Sequence, residues 1–268
     1  DAFNTAVGHN VGAAITTGTL NTLIGALAGD ALTTGTAGNV ALGYQALTTQ
    51  VEYGQNVAIG TQALRDQDVD GHGNNTAVGH QAGLSVTTGT QNVIVGSSAG
   101  DALTTGRRNV AIGHAALSAE DEHSYCVAVG YQALLRQDAG ANTYNVAMGY
   151  DAGQAITTGI NNTLIGGSTG YSLTTASYNT ALGYRALYSE DTDGSNTAIG
   201  YKALAVQDGG ALNTAVGHQA GDAITDGDNN TLVGGGAGGA ITTGTNNICV
   251  GQASGLVLTT GNNNVYIG

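Results

Sequence analysis

The sequence predicts an all-β chain, a parallel β-solenoid of about sixteen 17-residue coils, and three observations predict it. A five-residue core, first met as Asn4-Thr5-Ala6-Val7-Gly8, recurs with its Asn register at 4, 21, 39, 56, 75, 92, 109, 126, 145, 162, 179, 196, 213, 230, 247 and 264. The spacing is 17 residues almost throughout, 18 once and 19 twice, and a fixed period of this kind is the signature of stacked coils. The core is β-branched at its second position in all sixteen copies, aliphatic or Met at its fourth, and Gly at its fifth. Finally, the 268 residues include 45 Gly and no Pro. That suits rungs hydrogen-bonded on both sides, because Pro cannot donate to a ladder.

Each core reads as a strand that Gly ends where the backbone must turn. Side chains alternate along a strand, so positions two and four share a face, read here as pointing into the coil. The Asn at position one, replaced only by Cys126, stacks as an amide ladder. The middle position then faces away from its own coil, and it carries no charge in sixteen rungs. Strands apolar on both faces are buried on both, so a neighbour is expected to cover this stripe. On that reading Leu23, Ile94, Leu164, Leu232 and Cys249 are the large members of an oligomer interface. A continuous stripe suits a parallel neighbour in register.

Along the chain the rungs fall into quartets, read as a larger unit of about four coils, duplicated and diverged. Two volume exchanges run through them. Where the middle residue is large (Leu23, Ile94, Leu164, Leu232), the residue after the core Gly is small: Ala26, Ser97, Gly167, Gly235. Where the middle is Ala, that residue is usually His or Tyr, which close packing would explain if the two positions meet. In the second exchange, rungs with Ala-Gly or its equivalent after the core carry Ile or Leu three residues past that Gly, as at Ile15, Leu32, Leu103, Ile156 and Ile241. Rungs with Ala-Leu carry their plug at once, at Leu47, Leu64, Leu117, Leu134, Leu187 and Leu204. The Ala-Leu rungs then run into polar, variable segments at 65–74, 118–125, 135–144 and 188–195, expected on the surface.

Net charge is −13 with only six Lys and Arg, which disfavours nucleic acid and anionic membranes as partners. No apolar run is long enough to span a bilayer, so no membrane insertion by this segment is expected. Cys126 and Cys249 stand seven rungs apart, too far to pair at roughly 4.8 Å per rung, and read as small buried hydrophobes. The chain begins three residues before one core and stops at the Gly of another. Residues 1–268 are therefore expected to be one repeat domain, a fragment of a longer fibre protein.

No catalytic constellation is read, and no enzyme activity is expected. His9, His80, His114 and His218 share one repeat position with Tyr, and that interchange argues for packing over a nucleophile or metal role. Tyr44, Tyr131, Tyr150, Tyr184 and Tyr201 at this position are the candidate binding residues, since aromatic faces stack on sugars; packing beside the small middle residue is the competing role. Paired threonines, such as Thr16-Thr17, Thr87-Thr88 and Thr242-Thr243, raise an ice-binding alternative, although the Ala-Leu rungs interrupt the array. Asp66, Asp68 and Asp70 alternate as in the opening of a calcium loop, echoed at Asp191-Thr192-Asp193-Gly194. The bidentate Glu expected at loop position twelve is replaced by Ala77, so calcium competes with a plain solvated acidic loop. No other cofactor is expected.

The cores Asn-Val-Ala-Ile-Gly at 56–60 and 109–113 and Asn-Thr-Ala-Ile-Gly at 196–200, each followed by a small-residue segment, resemble the head repeats of trimeric autotransporter adhesins. Similar repeats occur in phage-type tail fibres. The resemblance covers essentially the whole chain. It implies a left-handed parallel β-roll or β-helix, assembled as a parallel homotrimer and used for attachment outside the cell, at a cell surface or virion tail. Head repeats of that family are typically shorter than 17 residues, and no neck or stalk is present here. The expected function is an extracellular attachment fibre that contacts a surface glycan or protein through its variable loops. An ice-binding solenoid and a purely structural filament segment are the alternatives.

Overall fold

A computed structural model describes residues 3–34, 38–50, 54–189 and 192–268. The described chain is all-β with no helix, and it is a β-solenoid of parallel three-residue strands. Its contacts divide it into two units, one of Asp1–Gln132 with Gly140–Asn142, the other of Ala133–Ala139 with Thr143–Gly268. The first unit holds β1 (Thr5–Val7), β2 (Thr22–Ile24), β3 (Val40–Leu42), β4 (Val57–Ile59), β5 (Thr76–Val78), β6 (Val93–Val95), β7 (Val110–Ile112) and β8 (Val127–Val129). The second holds β9 (Val146–Met148), β10 (Thr163–Ile165), β11 (Thr180–Leu182), β12 (Thr197–Ile199), β13 (Thr214–Val216), β14 (Thr231–Val233), β15 (Ile248–Val250) and β16 (Val265–Ile267). Within each unit every strand pairs in parallel with the next, like residue on like residue. Thr5 faces Thr22 in the first unit and Ala181 faces Ala198 in the second.

The core Gly closes the strand against the same Gly of the next rung. At Gly200, with φ +136°, a Cβ would collide with the backbone carbonyl of Gly217. A side chain is excluded by that contact as well as by the dihedral.

The Asn ladder forms, with a division of labour inside each amide. The Asn75 side-chain oxygen accepts the backbone N–H of Asn92 at 2.8 Å, and its Nδ2 donates to the carbonyl of Gly89 at 2.8 Å. Asn213 repeats this with Asn230 at 2.9 Å and Gly227 at 2.7 Å. These amides tie one rung to the next and clamp their own turn, satisfying groups that burial would leave unpaired. At Asn39, Asn56 and Asn179 only the tie to the next rung forms, and the buried Nδ2 has no hydrogen-bond partner among the described residues. At Cys126 the backbone half of the pattern persists, its N–H donating to Asn109 Oδ1 at 2.9 Å.

The faces of the strand are the reverse of those expected from the sequence. The middle residue points into its own coil, and positions two and four point out. Leu23, Ile94, Leu164, Leu232 and Cys249 are fully buried within the single chain and therefore cannot be the oligomer interface. The reason is room. After the first rung the coil interiors also receive a small residue three positions after the core Gly, such as the buried Ala28, Ala46, Ala63, Ala203 and Ala220, and one plug, such as the buried Leu32, Leu64 and Leu204. Two β-branched side chains per rung would overfill that space, whereas one middle residue, usually Ala, fits.

The plug exchange holds, and its geometry explains the quartets. In Ala-Leu rungs the plug residue takes a left-handed backbone, φ +46° at Leu64 and +51° at Leu204. That conformation costs about 1–2 kcal/mol for an L-residue, while burying a Leu side chain returns about 1.5–3 kcal/mol, so the plug is tolerated. In the other rungs Gly stands there. A Cβ on Gly12 would lie 2.8 Å from Ile15 Cδ1, and one on Gly170 would lie 2.7 Å from Leu173 Cδ1. The large middle residues fill what two successive Gly rungs leave open. Leu164 borders Gly153 and Gly170, and Leu232 borders Gly221 and Gly238. The first exchange is thus corrected: the large middle residue compensates for these glycines, not for the residue following the core. Both cysteines are free and buried, and burial raises the Cys249 thiol pKa.

Candidate functional site

The residue that follows each core Gly stands outside the coil, so like residues of neighbouring rungs meet at the strand spacing. All five candidate tyrosines are exposed there, from 42% at Tyr201 to 59% at Tyr150. They do not pack beside the middle residue, which lies inside. In the first unit His114 stacks on Tyr131 with ring centroids 5.3 Å apart. In the second unit Tyr184 stacks on Tyr201 at 5.8 Å and Tyr201 on His218 at 5.0 Å. This three-ring column is bounded by Gly167 in the preceding rung and Gly235 in the following one, and a Cβ on Gly167 would meet the Tyr184 ring at 3.4 Å.

Beside that column the second unit carries a notch of about 330 Å³. Its residues come from two other repeat positions. Two after the core Gly, the first unit has glutamines that bond rung to rung: Gln62 Nε2 donates to Gln45 Oε1 at 3.1 Å, and Gln81 Nε2 to Gln62 Oε1 at 3.1 Å. In the second unit the same position reads Arg185, Lys202, Gln219. Five after the core Gly stand Tyr188, Ala205 and Asp222, and the small Ala205 between two longer side chains leaves the notch. Arg185 lies over Tyr184 and Tyr188, with Cζ 5.4 Å and 4.9 Å from the ring centroids, and Lys202 Nζ is 5.4 Å from Tyr201. Tyr188 is itself stacked on Tyr171 at 5.2 Å. Gln219 Nε2 donates to Asp222 Oδ2 at 3.0 Å. Burial pushes the Asp222 carboxyl pKa up, against the hydrogen bond from Gln219 and the charges of His218 and Lys202. The sequence reading missed Arg185, Lys202, Tyr188 and Asp222. The signal was available: at a position that is Gln in five rungs and never a cation elsewhere, two cations stand in successive rungs.

The acidic loop does not converge on a cation. Asp66 is held by Arg65 through two contacts of 2.6 Å, and that hydrogen bond raises the guanidinium pKa, with burial opposing. Among the described residues, Asp66, Asp68 and Asp70 form no group close enough to share an ion. They alternate with the buried Gln67 and Val69 along the outside of the turn. Asp191, of the second such run, lies outside the described residues. A different cluster forms in the first unit, where Glu120 stands at the coil position that is Gln50 and Gln67 in other rungs. It is fully buried, 2.6 Å from His123 Nδ1, and accepts the His123 backbone N–H at 3.0 Å. This pair closes its own turn.

The threonine pairs are not a doubly free array. The first hydroxyl of a pair is spent on the next rung: Thr87 Oγ1 donates to the Thr104 carbonyl at 3.2 Å, as Thr157 does to Thr174 at 3.2 Å. Only the second hydroxyl of such a pair is left to meet a flat lattice of water.

The outward strand face is aliphatic or Met at position four and divided between Thr and Val or Ile at position two. Position four exposes Leu42, Ile112, Met148, Leu182 (44%) and Val233, and position two exposes Val93, Ile248 (42%) and Val265. Position four thus makes one column of apolar side chains on each unit, while position two is shared between Val or Ile and Thr, which stands there in β10 to β14 without interruption. No protein-family model matches the chain, and neither a curated protein nor a solved structure matches it.

Proposed function

We propose that the chain is the shaft or head segment of an extracellular attachment fibre, without enzymatic activity, assembled as a parallel homotrimer. It contacts a surface glycan or protein through its outward aromatic positions and variable loops, at a cell surface or virion tail. The observation that carries this reading is the outward apolar column at position four of the strands. Contiguous apolar surface on a soluble chain marks a contact, and here it repeats in every rung with the period of the coil. Another copy of the chain has the same period, so parallel copies in register cover the columns along their whole length. Three copies rather than two follows from the resemblance to trimeric adhesin heads. The receptor-facing surface is then whatever lies away from the columns, and extended solenoid faces serve this purpose elsewhere.

Attachment is tested with the labelled chain on a glycan array and on intact cells. Saturable adhesion that unlabelled chain competes away is expected. An oligomer that adheres to no glycan and to no cell surface would leave only a filament segment and overturn the reading.

A further inference from the structure

The notch on the second unit has the features of a binding site for one kind of ligand. We infer that it takes a carboxylated sugar residue, of the uronic-acid class, with the carboxylate at Arg185 and Lys202 and the ring against Tyr188. As a statement about what the fibre attaches to, this inference rests on the attachment reading.

Charge is the first reason. The chain carries −13 with six Lys and Arg in 268 residues, yet two of the six stand at the same position in adjacent rungs. Like residues of neighbouring rungs are separated by roughly 4.8 Å of backbone, and like charges directly opposite one another destabilise a sheet. The first unit shows what the position does without a ligand, since its glutamines bond to each other. Among the described residues neither Arg185 nor Lys202 forms an ion pair, and Arg185 Nε is buried without a hydrogen-bond partner. One anion placed between the two side chains would relieve the repulsion through charge-assisted hydrogen bonds to both.

Shape is the second reason. Ala205 forms a floor flanked by Tyr188 and Asp222, and the open volume of about 330 Å³ is at the lower end of small-molecule sites. A sugar ring fits such a space over Ala205, with Tyr188 as one wall. Asp222, oriented by Gln219 at 3.0 Å, is an acceptor for a ring hydroxyl at the far wall. The arrangement also explains why a polyanion is the wrong partner: the notch holds two cations beside one carboxylate, on a chain whose net charge repels further negative charge.

The test uses the intact chain and two disaccharides, cellobiouronic acid and neutral cellobiose, in calorimetric titration. Native chain should bind the uronate at least tenfold more tightly than the neutral sugar. The double substitution R185Q/K202Q restores the residue already found at 45, 62 and 81, so the coil should keep its melting temperature. Its affinity for the uronate should fall at least tenfold. Tyr188→Ala, which repeats the residue at 205, is an independent arm with the same expected loss. Equal affinity for the two sugars, an undiminished affinity in either variant, or no uronate binding at about 10 mM (saturating for a millimolar Kd) would overturn the inference. Adhesion to surfaces without uronate binding would sink the notch and leave the attachment reading standing. Uronate binding by a chain that adheres to no surface would do the opposite.

Discussion

Leu232 and Gly238 give the sharpest test of how the coil is filled. Leu232 is fully buried, and a Cβ on Gly238 would lie 2.6 Å from Leu232 Cδ2, 3.0 Å from its Cδ1 and 3.1 Å from Ile241 Cδ1. Leu232→Ala removes a packed side chain and should cost about 2–5 kcal/mol. Gly238→Ala pays about 1–2 kcal/mol for a left-handed L-residue at φ +62°, and about 1–3 kcal/mol for overpacking. In the double variant the two shortest contacts disappear, because both are with Leu232. Its destabilisation should therefore fall short of the sum of the single effects by about 1–3 kcal/mol, the coupling expected of residues in contact. The assay is guanidinium denaturation followed by circular dichroism, with all four proteins at one concentration, because association contributes to apparent stability. Additivity within about 0.3–0.5 kcal/mol would refute the packing described here. So would a Leu232→Ala cost below about 1 kcal/mol, as expected for a side chain outside the coil.

Two further outcomes follow from buried polar groups. Asn213→Ala removes the acceptor of the Asn230 N–H and the donor to the Gly227 carbonyl. Each buried group left unpaired costs about 1–3 kcal/mol, so a loss of about 2–5 kcal/mol in denaturant midpoints is expected, and a loss below 1 would contradict the ladder's role. Asp101 has a carboxyl pKa raised mainly by burial, with hydrogen bonds from its own and the Ala102 backbone and the charge of His114 opposing. A raised folded-state pKa means that the folded chain binds the extra proton, so stability falls as pH rises from the ordinary Asp range through the raised value. As pH rises from the ordinary Asp range, about 4, through the raised value, the melting temperature of the native chain should fall relative to that of Asp101→Asn. A difference that stays flat, or changes sign, would contradict the assignment.

The period, the strand positions, the parallel pairing and the Asn ladder were all legible in the sequence, because each is a one-dimensional regularity that stacking turns directly into contacts. The plug exchange was legible too, since Leu at 47 or 204 and Gly at 12 or 170 are alternatives at a single position. What failed was the choice of face. Alternation says that Val57 and Ile59 share a side opposite to Ala58, but it does not say which side is inside. Ordinary hydrophobic reasoning puts the larger pair in the core. Only the width of a 17-residue coil, already occupied by Ala63 and Leu64, reverses that choice. The same error misplaced Leu23, Ile94, Leu164, Leu232 and Cys249 outside and hid the exposure of the tyrosines. The notch escaped notice because its residues, Arg185, Tyr188, Lys202 and Asp222, are 3 to 37 positions apart and meet only when columns of successive rungs are laid side by side.

Whether the outward columns join copies of the chain is decided by sedimentation equilibrium of the intact chain at micromolar concentration. Three chain masses are expected, with Ile199→Asp, on the outward face of β12, shifting the population toward one chain mass while the circular dichroism of the coil persists. A native chain that sediments as a folded monomer would contradict the account.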